Sequence, residues 1–118
     1  MEFDRWTVLF LLRRTDAPTL SPSEGDAMQD AHLAHLARLH ADGRLLAAGP
    51  VERSPDSALA GVCIFRTSPD EARALEAEDP AVHAGILRTE TYSWSVPRGT
   101  VEFLPSRFPR STKDVASP

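Results

Sequence analysis

Apolar residues along this chain gather in four short runs, separated by two longer stretches in which alanine, leucine and charged residues recur at helical spacing. Trp6 to Leu12 (Trp-Thr-Val-Leu-Phe-Leu-Leu) is continuous and of strand length, stopped by Arg13-Arg14 and by a connection holding Pro18 and Pro22. Ser21-Pro22-Ser23-Glu24 then offers a capping serine, a proline suited to the first helical position and a glutamate placed to close a capping box. Gly25 weakens that turn, so a start near Asp26 is the competing reading. The helix runs to Asp42, and Gly43 supplies the left-handed residue that ends it. Leu45 to Val51 reads as a second strand, Pro55-Asp56 as a turn and Gly61 to Phe65 as a third strand. Ser68-Pro69-Asp70-Glu71 repeats the cap signature and opens a second helix through Ala74, Leu75 and Ala77. Asp79-Pro80 interrupts that helix, because proline lacks the N–H and disfavours helical dihedrals in the residue before it. A short turn from Ala81 to Ala84 and Gly85 leads into a fourth strand, Leu87 to Val96.

The order βαββαβ predicts a ferredoxin-like α+β sandwich, a four-stranded antiparallel sheet with two helices on one face. Strands one and three are central in such a sheet, and both are apolar at either parity: Trp6, Val8, Phe10 and Leu12 against Leu9 and Leu11, and Val62 and Ile64 against Cys63 and Phe65. Strand four alternates instead, Tyr92, Trp94 and Val96 opposing Thr91, Ser93 and Ser95. Helices cover one face only, so the other is expected to be buried by a second copy, making a homodimer through the sheet face; a C-terminal tail folded over it is the competing reading.

A chain of 118 residues and 12.9 kDa bounds the answer to one compact domain. A net charge of −4 with interspersed signs argues against a nucleic-acid surface or an anionic membrane face, leaving a small molecule or another protein as partner. Cys63 is the one cysteine, which removes a disulfide framework and points to a cytoplasmic setting. Val8 to Leu12 is too short to span a bilayer, and Met1-Glu2-Phe3-Asp4 lacks the basic start of a signal peptide. No metal triad, phosphate loop, dinucleotide fingerprint or nucleophile elbow is present, so no cofactor and no metal are expected.

Candidate chemistry therefore rests on isolated side chains. Met28, His32, Leu36 and Leu39 fall within one quarter of the first helix, with His35 at its rim. An inward, neutral His32 suits a general base; the competing reading is a core histidine donating to a backbone carbonyl. Asp79 before Pro80 reads as a helix cap or as a pocket carboxylate. Gly49-Pro50 marks close backbone approach or a bulge, and Tyr92 with Trp94 a pocket wall or core packing. His83 is placed to line a pocket mouth, and His35 and His40 read as rim or solvated positions. Arg13 and Arg14 read as a solvated strand end or an attraction for an anionic ligand. Cys63 reads as a small buried hydrophobe.

Together, His32-Leu33, Gly43-Arg44-Leu45-Leu46-Ala47-Ala48-Gly49-Pro50, Asp79-Pro80 with Ala84-Gly85-Ile86, and Trp94 resemble the YciI-like (YCII-related) family of the dimeric α/β-barrel superfamily over about Trp6 to Val96. The resemblance implies a ferredoxin-like protomer paired through its sheets, a YCII-related domain over 1–103 with a flexible tail over 104–118, and a cleft in which His32 and Asp79 form an acid/base pair. Gly49, Pro50, His83, Tyr92 and Trp94 are the expected ligand contacts. Ala81 stands where the family often carries an aromatic, which implies a roomier pocket, and Pro55-Asp56-Ser57 replaces the usual Asp-Gly turn. The expected function is a cofactor-independent lyase or isomerase acting on a small cyclic or carbonyl compound. The alternative is a non-catalytic metabolite-binding or accessory module.

Overall fold

A computed structural model describes residues 1–116. The elements are β1 (Phe3–Arg13), α1 (Pro22–Ala41), β2 (Leu45–Pro50), β3 (Leu59–Phe65), α2 (Pro69–Ala77), α3 (Pro80–His83), β4 (Leu87–Pro97) and α4 (Thr112–Ala116). One antiparallel sheet in the order β2-β3-β1-β4 confirms the ferredoxin-like arrangement. No described helix is long and apolar enough to cross a membrane.

Local chemistry sets the helix ends. Ser21 caps α1 reciprocally: its hydroxyl accepts from Glu24 N–H at 3.2 Å, and Ser21 N–H donates to Glu24 Oε1 at 3.0 Å. The helix therefore starts at Pro22, not near Asp26, since Gly25 costs less than the closed box contributes. Gly43, at φ 79°, occupies the left-handed position beyond the C-cap Asp42, where a Cβ would be strained. Ser68 caps α2 in the same manner through Glu71 N–H.

Register decides which side chains meet the helices. Leu45, Phe65 and Thr7 lie abreast across β2, β3 and β1, followed by Ala48, Cys63 and Leu9, then Pro50, Gly61 and Leu11. These point inward with Leu36 and Leu39 of α1 and Ala72 of α2, and Leu9, Leu45 and Phe65 are fully buried. Each such large side chain contributes about 1.5–3 kcal/mol by leaving water. Thr7 joins this face because its hydroxyl donates to Thr67 O at 2.6 Å.

The opposite parity, Trp6, Val8, Phe10, Val62 and Ile64, forms the outer face, where β4 adds Tyr92 and Trp94 at 52% and 39% exposure. Phe103 packs edge-on against Trp6, ring centroids 5.0 Å apart. From there the chain rounds the sheet end and returns along α1. Phe108 stacks on His40 at 3.8 Å, and the N–H and hydroxyl of Thr112 both donate to Asp30 Oδ1 at 2.8 Å. The described part of the segment beginning at 104 is thus tied to α1, while 117 and 118 of the expected flexible tail lie outside the described residues. Phe108→Ala is expected to lower stability by about 1–2 kcal/mol and to speed proteolysis after Leu104, because stacking and half-buried apolar area are lost together. Unchanged cleavage kinetics would mean that the strap contributes nothing to holding this segment.

Candidate functional site

Small residues on the inner face leave a gap that α1 does not fill. Ala48, Gly61 and Cys63 sit there in neighbouring rows, and a Cβ at Gly61 would meet Gly49 O at 3.2 Å and Leu11 Cδ1 at 3.6 Å. The result is a cavity of about 570 Å³ between the β2–β3 edge, the first half of α1, the start of α3 and the C-terminal segment. Its wall is chiefly apolar, with Leu11, Met28, Leu33 and Phe108 among the lining residues, and His32, Gln29 and Arg13 supply polar groups. That size and composition suit a small, mostly apolar ligand with few polar handles.

His32 reaches the cavity from α1, and Asp79 stands behind it, fully buried and away from the lining. His32 Nδ1 lies 2.6 Å from Asp79 Oδ2, and Asp79 Oδ1 accepts Ala81 N–H at 2.9 Å. Asp79 thus plays both parts the sequence leaves open: it caps α3 and holds an imidazole. Burial works to raise its pKa, but the contact with His32, its attraction, the nearby Glu76 carboxyl and the Ala81 N–H outweigh that and leave it lowered. An ionised carboxylate only accepts, so the shared proton sits on Nδ1, and in the neutral tautomer this selects Nε2 is the acceptor. The contact with Asp79 is made through Nδ1, which leaves Nε2 at the other edge of the ring. A basic nitrogen on an apolar wall, oriented from behind by a carboxylate, is equipped to take a proton from a bound molecule.

A second pair lies deeper. His35 and Glu76 are 4% and 0% exposed, with His35 Nε2 3.2 Å from Glu76 Oε1 but off the line of a hydrogen bond. The expectation of a rim or solvated His35 is therefore wrong: the buried stripe of α1 is His35, Leu36 and Leu39, turned toward α2 and α3. His40 is likewise no solvated side chain, its ring nitrogens lying 2.7 Å from Leu45 O and 3.0 Å from Ser106 O. In α2 the buried residues are Ala72 and Glu76. Burial, more than its neighbours, pushes the Glu76 carboxyl up to about 7. His35 is raised as well: its own burial opposes this, but Glu76 and Asp79 outweigh it. Donor atoms of His35, Glu76 and Asp79 all fall within 4.8 Å of one another, close enough to share a proton or to surround a small cation. Both Asp79 oxygens are already engaged by His32 and Ala81, which favours the proton.

Of the other expected contacts, Gly49 and Pro50 line the cavity and Ala81 lies on its wall. His83 is exposed on α3, and Tyr92 and Trp94 are on the outer sheet face, because β4 gives them the parity of Val8 and Trp6; none of the three lines this cavity. Arg13 does, with Nη1 donating to Leu59 O at 3.0 Å, whereas Arg14 is spent on Asp16 at the surface. Cys63 lines the cavity too, but burial pushes its thiol well above the usual range, so it is an inert hydrophobe as expected. His35 and Glu76 had a readable signal: His32 and His35 are three apart on α1, and Glu76 at the end of α2 is three before Asp79, the cap of α3, a spacing that lets two acid–imidazole pairs form side by side.

These observations define a class, a ferredoxin-like α+β protein with an imidazole on the wall of a cavity and a buried carboxylate behind it. The model of the YCII-related domain family matches residues 8–95, and the chain belongs to that family. Among solved structures it is similar to the 5-chloro-2-hydroxyhydroquinone dehydrochlorinase of Burkholderia phenoliruptrix AC1100, solved in complex with 2,5-dihydroxybenzoquinone. The two share 21% identity with a TM-score of 0.49, over 75% of this chain and 92% of that one. No curated protein matches.

Proposed function

We propose that this protein is a cofactor-independent enzyme of the lyase or isomerase type, acting on a small cyclic or carbonyl-bearing compound. The observation that carries the reading is the 2.6 Å contact of His32 Nδ1 with buried Asp79, made by the histidine that lines the cavity. His32 Nε2 takes a proton from carbon or hydroxyl of the bound compound, and Asp79 holds the ring and balances the imidazolium that forms. Gly49, Pro50 and Ala81 leave space for a ring, and Arg13 faces developing negative charge.

The test is hydrogen–deuterium exchange in D₂O, followed by proton NMR, over a panel of cyclic ketones, lactones and hydroquinones. Wild-type protein is expected to accelerate exchange for at least one compound class, and His32→Ala to lower the rate roughly 100- to 10,000-fold with the fold intact. Compounds that raise the melting temperature but exchange no proton would instead establish a non-catalytic binding module.

The outer face, covered by Phe103 at Trp6 but otherwise half-exposed, supports pairing of two copies through their sheets, since Val8, Phe10, Val62 and Ile64 lie in one apolar patch with exposed Tyr92 and Trp94. Wild-type protein is expected to sediment as a dimer and Phe10→Glu as a monomer. A wild-type monomer at high concentration would end this part of the reading.

A further inference from the structure

Glu76 and His35 take no part in the proton transfer proposed above, yet two ionisable side chains without hydrogen-bonded partners are costly in a protein interior. Their place explains their presence. Glu76 near the end of α2 is three residues before Asp79, the cap of α3, and His35 on α1 is one turn after His32, so the second acid–imidazole pair lies next to the first. Donor atoms of Glu76, Asp79 and His35 are mutually within 4.8 Å, and an unsatisfied Glu76 oxygen and His35 Nε2 converge there.

We propose that Glu76 and His35 are positioning residues for the dyad: they hold one proton next to Asp79 and, by keeping or releasing it, set how strongly Asp79 draws His32 toward its protonated form. This rests on the reading of His32 as the base. With the proton on Glu76, the carboxyl donates to Asp79 and the cluster carries one negative charge facing His32. When it leaves for solvent, two carboxylates and a neutral His35 remain, and the doubled negative charge behind Asp79 favours the imidazolium form of His32. The change falls near neutrality, where burial has moved Glu76. Groups facing Glu76 are His35 on α1, with Arg38 acting on His35; Asp79 at the start of α3, which His32 contacts in turn; and Cys63 on β3. Inward positions of β1 and β4 at this level, Thr7, Leu9, Thr91 and Ser93, bring no ionisable group.

Proton NMR of the imidazole C2–H signals during a pH titration tests the proposal without needing a substrate. In wild-type protein the His32 and His35 curves are expected to share an inflection, each departing from a single-site curve. In Glu76→Gln the shared inflection vanishes from both curves. An unaltered His32 curve in folded Glu76→Gln overturns the proposal, as do independent single-site curves in the wild type, which require no variant to fold. Stoichiometric divalent metal in the purified protein, lost on Glu76→Gln, overturns it too, because a cation then occupies the place given to the proton. Failure here leaves the deuterium exchange of the His32 reading intact, and failure of that exchange leaves the titration coupling intact.

Discussion

Asp79→Ala is expected to lower the free energy of unfolding by about 3–5 kcal/mol. Asp79 is fully buried, and its carboxylate joins three things: His32 Nδ1 at 2.6 Å, the Ala81 N–H at 2.9 Å and the polar cluster with Glu76. Alanine leaves α3 without its cap and an imidazole N–H without its acceptor, and water has little access to either. Removing one member of a buried pair costs far more than the pair contributes net, since the survivor stays desolvated. Asp79→Asn separates the parts: the amide oxygen still caps Ala81, so the expected loss is nearer 1 kcal/mol. Its amide nitrogen now faces His32 and donates, which forces the imidazole proton onto Nε2 and removes the acceptor from the cavity. Urea unfolding with an unchanged m-value reads both costs. Equal losses for the two variants would mean that Asp79 matters only through its charge.

Stability is expected to fall by on the order of 2–3 kcal/mol as pH rises from the ordinary glutamate range to somewhat above neutrality. Glu76 carries the effect. Its folded pKa is raised from 4.5 to about 7, so native protein binds a proton that unfolded chain releases, and unfolding becomes easier through that interval. The contribution is whole below 4.5 and gone once pH has passed through about 7. His35, raised from 6.5, acts in the same direction: it is fully stabilising below that value and loses its contribution as pH climbs through its folded pKa. Asp79 acts oppositely and lower, being lowered from 3.8; its contribution is present above 3.8 and fades as pH drops through its folded pKa, so the two effects do not overlap. Glu76→Gln should flatten the slope between mildly acidic and mildly alkaline buffers. A wild-type protein equally stable across that span would contradict the burial assigned to this carboxyl.

The fold was legible because its punctuation is explicit. Ser21-Pro22 and Ser68-Pro69 announce helix starts, Gly43 an end, and the parity of β1 and β3 marks two apolar faces. The family match to residues 8–95 bears out the resemblance. His32 and Asp79 were legible as candidates because Asp-Pro must open a turn and His32 sits among leucines. What was not legible was the rotation of α1. A helical wheel gives angles between side chains, but the stripe that becomes buried depends on how the helix leans on α3 and β2, and here the lean carries His35 inside. Glu76 was hidden by its own chemistry: a carboxylate in an exposed-looking helix is read as solvated unless its partner is already known to be buried. Tyr92 and Trp94 were assigned to a pocket wall by type, whereas pairing of Val8 with Tyr92 and Trp6 with Trp94 places them outward.

The account depends on His32 presenting an unprotonated Nε2 to the cavity while Asp79 holds the proton on Nδ1. Long-range nitrogen–proton correlation NMR of imidazole-labelled protein, at mildly alkaline pH, reads that directly. The expected spectrum shows His32 with Nδ1 protonated and Nε2 bare, and the reverse in Asp79→Asn. A wild-type His32 carrying its proton on Nε2 would contradict the account, because the cavity would then face a donor in place of a base.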